Sequence, residues 1–296
     1  MNKGILYGLG CYTLWGFLPI YWKLIENIPS LEIVGHRTLW SFVFVLTYVV
    51  ATKAWNGFQP IRVNSKILLV YLATGVLMSA NWLIYIWAVN SGYIIESSLG
   101  YFINPLVNVS LGVIFLREKL RLWQWIPVGL AALGVGYLTV SYGELPWIAL
   151  SLAFTFGFYG LIKKTAALDS ISGFTIETGF VVLPALAWLL YLEFVGRGAF
   201  GHGTALETLL LILAGVATGL PLLWFGAAAR RVPLSTLGFL QYIAPTFQFL
   251  IGVFIYGEDF SQDRVIGFCI IWTALLIFSI DGIFNRRRST LPAPMD

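Results

Sequence analysis

Charge is scarce in this chain. Of its 296 residues only 11% are Asp, Glu, Lys or Arg, where soluble domains carry about a quarter. That deficit excludes an ordinary water-soluble domain, and with 58% hydrophobic residues it implies a polytopic membrane protein. Cysteine is nearly absent as well. Cys11 and Cys269 both fall in apolar runs, without the spacing of a disulfide framework or a metal site, and read as buried free thiols. The two histidines, His36 and His202, are too few and too far apart for a zinc protease, and neither H-E-x-x-H nor G-x-S-x-G occurs. No phosphate-binding glycine loop appears, so coupling to ATP within this chain is not expected. The start of the chain runs into an apolar span without an A-x-A-like site, so no cleavable signal is expected. No tract suggests nucleic-acid binding.

Long apolar runs are what the sequence has in quantity. A hydrocarbon core of about 30 Å needs roughly 20 apolar residues in a helix. Ten segments qualify: 4–22, 30–52, 67–90, 93–116, 122–141, 145–162, 173–195, 207–229, 234–256 and 265–284. Trp22, Trp55, Trp123, Trp147 and Tyr256 lie near segment ends, as an interfacial aromatic belt requires. Between the segments, 14 Lys and Arg fall on the side of the N-terminus and 3 (Lys23, Arg197 and Arg264) on the other. Positive loops stay cytoplasmic, so both termini are expected inside the cell. Arg37 alone lies within a span.

The chain also repeats itself. At a shift of 140 residues Pro105 meets Pro245, Gly112 meets Gly252, Glu118 meets Glu258, Gly75 meets Gly215 and Ala88 meets Ala228. At 141, Gly16-Phe17 meets Gly157-Phe158 and Lys23 meets Lys164. Each unit holds five segments, an odd number, so the second enters the membrane upside down. The expected organisation is an all-α fold of ten transmembrane helices in two inverted five-helix repeats, 1–142 and 143–288, with a cytoplasmic tail, 289–296. Inverted repeats with a site near the midplane are a transporter architecture. Pro105 and Pro245 then read as paired kinks, against the plainer reading of tolerated helix prolines.

Several stretches carry a resemblance: "WGFLPIYWK" (15–23), "HRTLWS" (36–41), "NWLIYIWAVN" (81–90), "SLGYFINPLVN" (98–108), "PLLWFGAAA" (221–229) and "LSTLGFLQYIAPT" (234–246). Together and in order, they make the chain similar to the RarD family in the EamA branch of the drug/metabolite transporter superfamily. The resemblance implies ten helices in two inverted halves and an inner-membrane transporter exporting small metabolites or drugs, with no agreed substrate. A lipid flippase and an intramembrane enzyme are the competing classes, the latter disfavoured by the missing catalytic motifs. No cofactor and no metal is expected. The expected partners are a small-molecule substrate and membrane lipid, and the sequence leaves a homodimer open.

Polar residues inside spans are costly and mark candidate sites. The second segment holds His36, Arg37 and Trp40, the third Asn81, Trp82 and Tyr85, and the ninth Gln241 and Gln248. On the fourth, Glu96, Gly100, Asn104 and Asn108 recur every four residues and form one slowly drifting stripe. That stripe reads equally as a cavity lining or as helix-packing glue. Glu96 is expected to pair with Arg37, with His36 beside it as a pH-sensitive neighbour. Gly75/Ser79 and Gly215/Gly219 read as close-packing pairs. Glu177, Asp281, Glu118 and Glu258 lie near segment ends and are expected to be solvated.

Overall fold

A computed structural model describes residues 3–58, 66–117, 122–164, 166–229, 231 and 240–289. Among the described residues there are ten α-helices and no strand. They are α1 (Lys3–Lys23), α2 (Ser30–Thr52), α3 (Ile67–Asn90), α4 (Ile94–Leu116), α5 (Leu122–Tyr142), α6 (Trp147–Lys164), α7 (Ser170–Phe194), α8 (Ala205–Ala229), α9 (Ile243–Leu250) and α10 (Gln262–Ser289). A π turn, Ile251–Ile255, prolongs α9. Glu118, residues 234–239 of the ninth segment and the tail from 290 lie outside the described residues.

Among the described residues, five helical stretches are long and apolar enough to cross a membrane: Ser30–Thr52, Ile67–Asn90, Ile94–Phe115, Ile171–Phe194 and Ala205–Phe225. Shorter apolar stretches occupy Trp125–Ser141, Trp147–Lys163 and Ile243–Ile255. Large apolar side chains such as Val140 (83% exposed) and Phe254 (77%) cover the outside of the bundle. Outward-facing apolar side chains on helices with satisfied backbones are what a lipid solvent selects. The chain is an all-α membrane protein.

Local chemistry sets several helix ends. Asp169 caps α7 by accepting from the Ile171 and Ser172 N–H groups at 3.0 and 3.1 Å. Thr204 and Glu207 form a capping box at the start of α8, with Thr204 N to Glu207 Oε2 at 2.7 Å and Glu207 N to Thr204 Oγ1 at 3.1 Å. The start of α4 is capped from far away. Glu258, in the segment after α9, accepts from the Ile94 and Ile95 N–H groups at 2.7 and 2.8 Å. It is therefore a structural clasp and not simply a solvated loop charge.

Helix α1 packs on α8 and α9, and α6 packs on α3 and α4. Helix α2 packs on α7 and α8, α7 also packs on α3, and α5 packs on α10. Glycines permit the closest of these approaches. A Cβ on Gly16 (α1) would lie 2.7 Å from Phe247 Cβ (α9), and one on Gly157 (α6) would lie 2.9 Å from Val107 (α4). Likewise Gly215 (α8) lies against Trp40 (α2), where a Cβ would meet backbone at 2.4 Å, and Gly75 (α3) lies against Glu177 and Val181 (α7). The close-packing role expected of Gly75, Gly215 and Gly219 is what these contacts show.

The prolines are less distinctive than their repeat spacing suggests. Pro105 lies inside α4, but Pro19, Pro127, Pro184 and Pro221 also lie inside helices. Pro245 occupies the first turn of α9, where its missing N–H costs no intrahelical bond. The irregular backbone of α9 is the π turn around Gly252.

Candidate functional site

Arg37 is the centre of the site. It lies seven residues into α2, roughly 10 Å along the helix axis, and is 4% exposed. Its guanidinium carbon lies 4.0 Å from the ring centre of Trp82 on α3 and 5.4 Å from that of Trp22 at the end of α1. Tyr21, Tyr85 and Tyr101, from α1, α3 and α4, lie close enough to interact electrostatically with it. Tyr85 and Tyr101 meet edge to face at 5.7 Å. Three helices thus surround one cation of α2 with aromatic rings.

That cage does not contain a counter-ion. Glu96, expected to pair with Arg37, instead lies 3.4 Å from Arg264 Nη2 near the start of α10. Helix α4 turns Glu96 towards α10 and away from Arg37. Among the described residues Arg37 Nε and Nη1 have no hydrogen-bond partner, and neither do Trp22 Nε1 or the Tyr85 hydroxyl. Magnitudes show what remains unbalanced. An arginine within a membrane costs about 2.5–3.5 kcal/mol on insertion scales. Each cation–π contact returns about 0.5–2 kcal/mol. The two indoles therefore offset much of the charge, but they act through the guanidinium face and leave the in-plane N–H groups unbonded. Buried donors without partners cost about 1–3 kcal/mol.

The other expected site residues divide into three groups. Asn81, Trp82 and Tyr85 join the Arg37 neighbourhood. Asn81 accepts from the Tyr101 hydroxyl at 3.5 Å and donates to Leu152 O and Thr155 Oγ1 on α6 at 3.1 and 2.8 Å. His36 and Trp40 face elsewhere. His36 stacks on Phe200 of the α7–α8 connection at 4.9 Å, and Trp40 lies 6.2 Å from the same ring. Successive helix residues diverge by about 100°, so His36 is adjacent to Arg37 in sequence but not a partner in its cage. Gln248 holds α9 to α1 through a 3.1 Å bond to the Trp15 carbonyl. Gln241 is half-buried beside the start of α9.

The polar stripe of α4 packs in part against α6. Asn104 donates to Ala153 O on α6 at 3.1 Å, and Asn108 donates to Asn104 Oδ1 at 2.9 Å. A Cβ on Gly100 would lie 2.7 Å from Ala149 O. Gly100 and Asn104 let α4 and α6 approach, and Asn104 satisfies a carbonyl of α6, while Asn108 is exposed and bonds back to Asn104 on its own helix.

A second buried ionic cluster was not expected. Glu177 of α7 is 3% exposed and accepts from Lys163 Nζ at 2.9 Å, Thr74 Oγ1 at 2.8 Å and the Tyr159 hydroxyl at 3.4 Å. Lys163 Nζ also lies over the rings of Tyr71 and Tyr159 at 4.9 and 5.7 Å. The expectation that Glu177 is solvated is thus wrong. Its place near a helix end exposed it on a linear reading, while α3 and α6 cover it in three dimensions. Trp22, Tyr21 and Tyr101 were missed for related reasons. Trp22 read as an interfacial aromatic, Tyr21 carried no signal of its own, and Tyr101 lies one residue off the polar stripe. Helix α3 serves both clusters, with Thr74 at one and Trp82 at the other, roughly 12 Å apart at 1.5 Å per residue.

Comparison with known proteins follows the same direction. Residues 2–140 match the EamA-like transporter family. The protein RarD of Escherichia coli (strain K12) is 43% identical over 289 residues, covering 98% of each chain. The transporter YojE of Bacillus subtilis (strain 168) is 47% identical over 294 residues, 97% of each chain. The chloramphenicol-sensitive protein RarD of Pseudomonas aeruginosa is 32% identical over 95% of each chain. A crystal structure of 17% sequence identity superposes with a TM-score of 0.57 over 94% of this chain and 97% of that one, and so shares its fold.

Proposed function

Since the chain belongs to the RarD family of EamA-like transporters, and so is a membrane transporter and not an enzyme, we propose that it moves a small metabolite or drug by alternating access past Arg37. The observation that carries this reading is the buried guanidinium of α2 between α1, α3 and α4, whose Nε and Nη1 have no partner among the described residues. A charge held within a bundle without a counter-ion is costly to stability and is explained by a ligand that completes it.

All ten helices span the bacterial inner membrane in this reading, as two inverted five-helix units. Reciprocal contacts support the inversion. The Gly16–Phe247 contact between α1 and α9 has its counterpart in Gly157–Val107 between α6 and α4. The Gly215–Trp40 contact between α8 and α2 has its counterpart in Gly75–Val181 between α3 and α7. In each pair the partners exchange halves at offsets of 140 or 141 residues, which is the behaviour of a two-fold repeat. The charge asymmetry of the loops supports cytoplasmic termini. With alternating spans, the Arg37 cage lies in the outer half and the Glu177 cluster in the inner half. A lipid flippase remains the second reading of the same fold.

Topology and transport are separate tests. Single cysteines at Asn64 and Asn285 are expected to resist an impermeant thiol reagent in intact cells, and one at Gly201 to label; labelling at Asn64 would overturn the orientation. Proteoliposomes holding the purified protein are expected to accumulate a soluble tracer from a panel of small metabolites. Movement of labelled phospholipid between leaflets without solute flux would favour the flippase.

A further inference from the structure

We infer that the substrate of this transporter is a small organic monoanion, a carboxylate on a planar or aromatic body, bound through the N–H edge of Arg37. The inference rests on the transport reading and specifies what is carried.

The chemistry of the unfilled groups is one-sided. Arg37 Nε and Nη1 and Trp22 Nε1 are donors, and the Tyr85 hydroxyl has a proton to donate. What completes such a set is an acceptor, and beside a guanidinium the best acceptor is an anion. Among the described residues, no carboxylate of the surrounding helices pairs with Arg37. Glu96 on α4 is engaged by Arg264, and Glu32 on α2 accepts from the Ala199 N–H at 2.6 Å through Oε1; its Oε2 is itself without a partner, but it makes no ion pair with Arg37. Around Arg37 itself stand Tyr21 and Trp22 from α1, Trp82 and Tyr85 from α3, and Tyr101 from α4, none of them acidic at neutral pH.

Charge number and shape narrow the class. The neighbouring cation, Lys23, is committed to Glu26 at 2.8 Å and to the Asn90 carbonyl. A single positive charge matches a single negative one, so a dianionic phosphate would leave a charge unbalanced in an apolar setting. The indoles occupy the guanidinium face through cation–π contacts, while its N–H groups lie in the plane. A carboxylate meets those groups in the two-pronged geometry that a guanidinium provides and an ammonium does not. The remaining walls are aromatic rings, which favour a flat apolar body over a sugar or a flexible chain.

The test uses the full chain purified into nanodiscs of phosphatidylcholine, with benzoate and phenylacetate as probes. Methyl benzoate, benzylamine and inorganic phosphate serve as controls. Thermal midpoint and intrinsic tryptophan fluorescence are read for wild type, Arg37→Gln, Arg37→Lys and Tyr85→Phe. The expected result is a concentration-dependent rise in midpoint and a fluorescence change with the two carboxylates alone. Arg37→Gln is expected to weaken their binding at least tenfold, with Arg37→Lys between it and wild type and Tyr85→Phe a few-fold weaker than wild type. Because Arg37→Gln strands no counter-ion, it is expected to fold; if it does not, the Tyr85→Phe and Arg37→Lys series decides.

Equal binding of benzoate by wild type and Arg37→Gln would overturn the inference. So would binding of benzylamine or the ester as tight as the carboxylates, or no response to either carboxylate. A response that appears only on adding phosphatidylglycerol would assign Arg37 to an anionic lipid instead. The transport reading fails separately. Proteoliposomes that move benzylamine but not benzoate would refute the anion while keeping the transporter, whereas no flux of any solute class would refute the transporter.

Discussion

Arg37 and Glu177 stand at positions 140 residues apart, on helices α2 and α7, and both are nearly buried. Their surroundings differ completely. Glu177 has a lysine, a threonine and a tyrosine directed at it. Arg37 has two indole faces and no acceptor for Nε or Nη1. One charge is closed within the protein and the other is left open. The comparison teaches that a buried charge indicates function only when its partners are counted. A satisfied cluster ties helices together, and an unsatisfied one awaits something that is not part of the chain.

The largest expected effect comes from opening the closed cluster. Lys163→Met leaves Glu177 buried without its cation, and breaking a buried pair from one side costs about 3–5 kcal/mol. A lowered thermal midpoint in detergent, partly restored by the double variant Lys163→Met/Glu177→Met, is the expected outcome. If the single variant is as stable as wild type, the cluster is not a structural tie and the contrast with Arg37 collapses.

A smaller loss is expected at the α4–α6 seam. Asn104→Ala deprives the buried Ala153 carbonyl of its partner, at about 1–3 kcal/mol for a buried polar group left unbonded, and removes the bond of the exposed Asn108 amide. Transport by the folded fraction is expected to survive, because the seam is packing. Abolished transport at unchanged stability would return Asn104 to the substrate path.

The smallest change in stability is expected where the change in function is greatest. Arg37→Gln removes a charge that has no counter-ion, so unfolding without substrate is expected to shift by less than about 1 kcal/mol, or to favour the variant. Solute flux is expected to disappear. A destabilisation as large as that of Lys163→Met would mean that Arg37 has a structural partner, and the two clusters would then be alike.

The apolar runs of the sequence determined that this chain enters a membrane, because too few charges remain to clothe a soluble surface. They also placed the helix boundaries closely: segments 30–52 and 67–90 coincide with Ser30–Thr52 and Ile67–Asn90. Backbone hydrogen bonding in an apolar solvent leaves few alternatives to helices of that length. Arg37, Trp82, Asn81 and Tyr85 were legible as candidates because polar groups are rare in such runs, and the fold brings them together. What the sequence could not determine was the rotation of each helix and its neighbours. A four-residue stripe identifies a face of α4 but not what lies opposite, and only the tertiary structure turned Asn104 and Asn108 onto α6. It likewise took Glu96 to Arg264, turned His36 to Phe200, covered Glu177 with Lys163 and brought Trp22 beneath Arg37. Each outcome depends on contacts between residues far apart in the chain, and periodicity within one helix holds no information about them.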